Sequence, residues 1–362
     1  MKVFHCSHCE HLVFFENTVC VRCQHRLAYL PDLETVGSLD PVGEDLWRCP
    51  INERYLYRLC ENYSRENICN WAIPETDTHS LCRSCGFTLK VPALDQPGHK
   101  EAWYKLEVAK RRLLYGLWSL GCPVESKSDN PERGFGFQFL ADMQGPDAAP
   151  VITGHAAGII TINIVEANEA ERERRRQQLH EPYRTLLGHF RHESGHYYWD
   201  RLIKNSPWIN GFRETFGEER SDYREALERY YQSGPSTDWS KDFVSAYASA
   251  HPWEDWAETW AHYLHMADTL EIADACGLSM RPHRPDEPAL AAAGGPVHGD
   301  PMAFDELTKR WFSLTYMLNN LNRSLGQPDG YPFVLSNPVI DKLRVVHHAI
   351  KSTAVWKDVR IA

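Results

Sequence analysis

Nine of the chain's eleven cysteines fall before residue 86, and only Cys122 and Cys276 lie in the rest of its 362 residues. The first four form the pattern Cys6-x2-Cys9-x10-Cys20-x2-Cys23. Each CxxC can present two thiolates to one ion, and two such knuckles complete a tetrahedral site. A segment this short has little core of its own, so a bound metal supplies much of its folding energy. A redox CxxC and free thiols are the competing readings. The second set is looser: Cys49, Cys60, Cys69, Cys82 and Cys85, of which only Cys82 and Cys85 form a knuckle. Four of the five fill a site. The reading assigns Cys60, Cys69, Cys82 and Cys85 and leaves Cys49 spare. A closed four-thiolate site has no position for substrate, so neither cluster is expected to be catalytic.

This asymmetry divides the chain into residues 1–95, a zinc-ribbon region, and residues 100–362, with VPALDQPGH as the linker. In the second part, helical spacing runs over Glu101–Leu120. Phe135, Phe137 and Phe139 alternate with smaller or polar residues, and GIITINIV (158–165) is β-branched, so both read as strands. Helices are expected at about Ala167–Leu179 and Pro182–Lys204, and another from Pro252, a residue suited to a first helical turn. Gly277–Pro301 reads as a long loop, either a surface insertion or a lid. Helices resume over Phe304–Leu325 and Pro338–Lys351. The expected class is α+β: ribbon modules, then a mainly helical domain with a small sheet.

The net charge of −10 argues against a dedicated nucleic-acid binder, and the cysteine-rich region is itself slightly acidic. The basic run Arg172–Arg176 reads as a solvated helix face. No apolar stretch approaches the ~18 residues a membrane span needs. The start MKVFHCSHC lacks the apolar core of a secretory signal. The cytoplasm is the expected location, and there cysteines serve metals rather than disulfides.

The chemistry points to His192-Glu193-Ser194-Gly195-His196. HExxH sets two imidazoles four residues apart on one helix face, where both reach one ion. Glu193 then stands beside the metal as general base. The motif sits in the apolar run LLGHFRHESGHYYWDRLI, where two His and a Glu are costly without a metal or partners. Gly195 would let another element pass close. A catalytic zinc takes a third protein ligand. Glu254 and Glu258 lie one turn apart, suiting one carboxylate on zinc and one behind it, orienting a ligand histidine. An ordinary acidic helix face is the plain alternative.

Runs spread over nearly the whole chain carry a resemblance: FFENT before CVRC, CNW, LCRSCGFTL, GHAAGIITINIVEAN, HFRHESGHYYWD, FGEERSDYREAL, FVSAYASAHPWEDWAETWAHYLH and NRSLGQPDGYPFVL. In these the chain resembles a bacterial family of zinc-binding metallopeptidases with an amino-terminal zinc ribbon. The Tyr-x6-Glu-x3-Glu arrangement is similar to that of the lethal-factor type of gluzincin. That likeness implies Glu254 as zinc ligand, Glu258 as support for a histidine, and Tyr247 as donor to the oxyanion. A buried structural Tyr247 and a swap of the two glutamates remain open.

The expected function is hydrolysis of peptide bonds in a peptide or protein, with three zinc ions, one catalytic and two structural. The alternative is a ribbon module for protein or nucleic-acid interaction on an inactive scaffold. The ribbons offer a surface for a protein partner. Three smaller expectations follow. The strand at 159–164 could serve as an edge that pairs with extended substrate. His155 either lines the cleft or makes a structural hydrogen bond. Asn319, Asn320, Asn322 and Arg323 either build a turn or, through Arg323, hold a substrate carboxylate.

Overall fold

The computed structural model describes residues 2–52, 54–142, 150–178, 185–280, 283, 284 and 304–359. By packing, the described residues within 2–114 and 125–168 form one compact unit, and those within 115–124 and 169–359 form another. The strands that follow the expected linker therefore pack with the cysteine-rich region.

The first unit holds β1 (Phe4–His5), β2 (Leu12–Val13), β3 (Arg26–Leu30), β4 (Thr35–Pro41), β5 (Trp47–Arg48), β6 (Leu56–Leu59), α1 (Glu61–Ser64), β7 (Ala72–Pro74), β8 (Thr88–Lys90), most of α2 (His99–Ser119), β9 (Gly136–Leu140), β10 (Gly154–Ala156) and β11 (Ile159–Asn163). β1 and β2 form a small antiparallel ribbon. β3 to β7 form a five-stranded antiparallel meander in sequence order. Its core, Leu27, Leu30, Val36, Tyr57 and Trp71, is fully buried. The third sheet runs β10-β11-β9-β8, with β9 parallel to both β8 and β11. The alternation at Phe135, Phe137 and Phe139 is a strand pattern, and all three rings are fully buried.

The strand at 159–163 is not an edge. β10 pairs with it on one side and β9 on the other. Ala157 and Gly158, both at positive φ, fold β10 back over it as a tight hairpin. His155 accepts a hydrogen bond from the Gly158 amide at 3.1 Å, a structural role in that turn.

The second unit is helical: α3 (Glu169–Gln178), α4 (Leu186–Leu202), α5 (Ile209–Phe216), α6 (Tyr223–Ser233), α7 (Pro252–Ala275), α8 (Phe304–Ser324) and α9 (Asn337–Val359). The expected helix from Pro182 is α4; residues 182–184 and 179 lie outside the described residues, as does most of the loop expected over 277–301. Thr185 caps α4 by accepting from the Gly188 amide at 2.9 Å. Pro252 opens α7, and His251 caps it by accepting from the Trp253 amide at 3.0 Å.

α4 and α7 form the centre of this unit. A Cβ on Gly195 would stand 2.8 Å from the Cα of Ala257, so glycine permits the helices their close approach. Trp256 Nε1 donates to the Gly195 carbonyl at 2.9 Å, and Trp260 Nε1 to Ser194 Oγ at 3.1 Å. Trp260 also stacks on Tyr198 at 4.6 Å. α9 is pinned to α7 by the buried Lys342–Asp255 pair at 2.7 Å. Among the described residues no helix is long and apolar enough to cross a membrane. The chain is α+β, as its pattern leads one to expect.

Candidate metal centre

The two cysteine groups assemble as the spacing requires. Cys6, Cys9, Cys20 and Cys23 converge, and so do Cys60, Cys69, Cys82 and Cys85. Sulfur separations of 3.6 Å for Cys6–Cys23 and for Cys9–Cys20, and 3.7 Å for Cys69–Cys82, far exceed a disulfide bond. They match the edge of a zinc–thiolate tetrahedron, about 3.8 Å for Zn–S bonds of about 2.3 Å. In the first group the two knuckles fold alike. Glu10 and Gln24, each just after the second cysteine of its pair, take positive φ. Their amides return to the carbonyls of Cys6 and Cys20. In the second group backbone amides point at sulfur: Cys82 N–H to Cys60 at 3.2 Å, Cys85 N–H to Cys82 at 3.4 Å and Trp71 N–H to Cys69 at 3.4 Å. Amides placed so stabilise thiolates. Cys49 lies outside both groups, buried beside Ser7 Oγ at 3.8 Å.

The third group is His192, His196 and Glu254, one ligand atom from each lying within 4.8 Å of the others. α4 supplies the two imidazoles from one face and α7 supplies the carboxylate. Glu254 Oε2 stands 3.0 Å from His192 Nε2 and 3.6 Å from His196 Nε2. The other ring nitrogen of His192, Nδ1, lies 2.6 Å from Glu258 Oε1. A carboxylate can only accept, so Nδ1 carries the proton and Nε2 turns its lone pair toward Glu254. Lone pairs facing one another in a buried pocket repel unless a cation lies between them, and this donor set of two nitrogens and one carboxylate oxygen suits zinc.

The electrostatics agree. Burial works to lower the His192 pKa, but the carboxylates of Glu254 and Glu258, one beside each ring nitrogen, outweigh it and raise the value, so the ring's Nε2 attracts a proton where no metal takes its place. Burial works to raise that of Glu254, yet His196 first and His192 next, the imidazoles beside its carboxylate, hold it well below the carboxylate range. For Glu258, burial is again overcome, chiefly by the bond from His192, and the pKa falls to about 2. A pocket that favours a proton here favours any positive charge.

Glu258 spends both oxygens, one on His192 and one accepting from Ser245 Oγ at 2.6 Å. Ser245 in turn accepts from the Ala248 amide at 3.1 Å. Glu193 is buried, and among the described residues its Oε2 has no hydrogen-bond partner. The Trp253 ring lies against that of His196 at 4.1 Å, tilted by 44°. The Tyr247 ring lies 5.9 Å from that of His192, and burial pushes its hydroxyl pKa far up, with Glu254 next among the causes.

Two contributors escape motif reading. One is Ser245. The other is Tyr223, whose hydroxyl donates to Glu254 Oε1 at 2.6 Å. Asp222 followed by Glu225 is a helix-start signature that could have placed Tyr223 at a first helical position, and Asp222 does cap α6. Its aim at the site depends on long-range folding. Asn319 and Asn322 build the turn after α8 rather than line a cleft. Asn319 bonds both the N–H and the C=O of Tyr331, and Arg323 is clasped by Asp329 at 2.7 Å.

Residues 99–349 match the family described as "putative zinc-binding metallo-peptidase", and residues 3–96 match a zinc-ribbon domain. The chain belongs to that metallopeptidase family. Its relatives include uncharacterized proteins of Mycobacterium bovis and Mycobacterium tuberculosis. Each is 38% identical over 355 residues, covering 98% of this chain and 96% of the relative. No solved structure matches the chain.

Proposed function

We propose that this member of the family is a zinc-dependent peptidase that hydrolyses peptide bonds at the His192, His196 and Glu254 centre. The observation that carries the proposal is the convergence of three lone-pair donors in a buried pocket, with the unbonded carboxylate oxygen of Glu193 on the same helix. Zinc, when bound there, acts as a Lewis acid toward the scissile carbonyl and lowers the pKa of water. Glu193 accepts the proton of the attacking water and delivers it to the leaving amine nitrogen. Tyr247, its hydroxyl held protonated by burial, donates to the oxygen that gains negative charge. Glu258 keeps His192 in the tautomer that offers Nε2.

The Cys6, Cys9, Cys20, Cys23 group and the Cys60, Cys69, Cys82, Cys85 group hold one structural zinc each, for three ions per chain. The expected setting is cytoplasmic and the substrate a peptide or protein.

The test is a broad peptide library incubated in parallel with wild type and Glu193→Gln. Cleavage by wild type, absent or reduced at least a thousandfold in a variant that keeps its zinc, is the expected result. Equal cleavage by both would remove Glu193 from the chemistry. Silence from wild type would favour the reading as an inactive scaffold carrying an interaction module.

A further inference from the structure

Glu254 and Glu258 are the same residue type one helical turn apart on α7, and nothing in their own chemistry decides which serves a metal. Their neighbours differ. Glu258 has one oxygen on His192 Nδ1 and the other on Ser245. Glu254 has one oxygen, Oε1, taken by the Tyr223 hydroxyl at 2.6 Å, while Oε2 faces both imidazole Nε2 atoms. We infer that Tyr223 is a positioning residue, fixing Glu254 so that a single oxygen, Oε2, is offered to the metal. The inference rests on the zinc reading of this centre and adds a determinant of how that zinc is held.

The tyrosine is itself held. Gly217, at φ +100°, ends α5 and turns the chain. Arg213 then grips Glu219 through Nε at 2.9 Å and Nη2 at 2.6 Å. His251 Nε2 reaches the Ser221 carbonyl at 3.2 Å, tying the connector to the first residue of the α7 cap. Asp222 caps α6. The Tyr223 ring packs edge-on against His251 at 5.2 Å and Trp253 at 5.5 Å. Thus the run FGEERSDYREAL is a brace that carries one hydroxyl to the back of one carboxylate. The donor is neutral. A lysine or arginine there would draw the carboxylate's charge away from Oε2; a phenol orients it and leaves most of that charge for the cation.

Tyr223→Phe removes the hydroxyl and keeps the ring contacts. In the full-length chain, zinc competition against a chromophoric chelator should resolve the two cysteine sites from the weaker third. The variant should weaken the third site by about ten- to a hundredfold and leave the other two unchanged. The visible spectrum of cobalt placed at the third site should also shift, because a freed carboxylate changes how its oxygens bind. A merely structural tyrosine would move neither the spectrum nor this one affinity selectively. If wild type holds a third zinc and Tyr223→Phe matches it in affinity and cobalt spectrum, the positioning role is wrong while the site stands. If wild type holds no third zinc, the site itself is wrong.

Discussion

His192 and His196 on α4 end up in different company from the buried His262 of α7 and His347 of α9. His192 has a carboxylate beside each ring nitrogen, whereas His262 and His347 sit where a charge is penalised. Burial brings the pKa of each down to about 4. For His347, Lys351 and His348 add to the effect. His347 Nδ1 meets the Tyr263 hydroxyl at 2.9 Å as a neutral ring. The sign of the linkage follows. The unfolded chain takes up a proton as pH falls through about 6.5, and the folded chain does so only near 4. Stability is therefore fully present above about 6.5 and is lost toward 4. Between pH 7 and 4.5, His347→Gln should lose about 2 kcal/mol less stability than wild type. Chemical denaturation at the two pH values measures this; equal losses would refute it.

At the scale of elements, the site depends on how closely α4 and α7 approach. Gly195→Ala places a methyl 2.8 Å from the Ala257 backbone, where no flexible side chain can yield. The helices must part, at a cost of about 1–3 kcal/mol. Gly211→Ala, with open space around its new methyl in α5, should be neutral or stabilising. A denaturant midpoint that falls for Gly211→Ala but not for Gly195→Ala would reverse the argument. Gly195 shows what a sequence can disclose: a small residue inside an aromatic helical run already announces a close neighbour. Helices with strong periodicity or a marked start, α2, α7, α8 and α9, were legible for the same reason. The meander β3 to β7 was not, since its strands are short and their pairing depends on contacts distant in sequence. α5 and α6 were also hidden. α6 has a stripe at helical spacing, Tyr223, Leu227, Tyr230 and Tyr231, but three of its four members are tyrosines and none of its residues is buried, so no core-facing side announces it. The strand at 159–163 was legible as a strand but not as an interior one, because its partner β10 is only three residues long.

At the scale of the whole molecule, eleven side chains able to bind a metal gather in three groups among the described residues. Ten of the eleven expected ligands were cysteines or histidines, whose types and spacing announce a metal directly. The eleventh, Glu254, has a like residue one turn away in Glu258, and what distinguishes the two in the fold is their neighbours Tyr223 and Ser245, residues with no metal signature. Cys49 stayed outside both cysteine groups because it points to Ser7 rather than to the knuckles. Zinc should be measured per chain in purified wild type and in His192→Ala, with the folded state of both verified. Three ions in wild type and two in the variant are expected. Three retained in His192→Ala, or only two in wild type, would contradict the claim that α4 and α7 build a zinc centre.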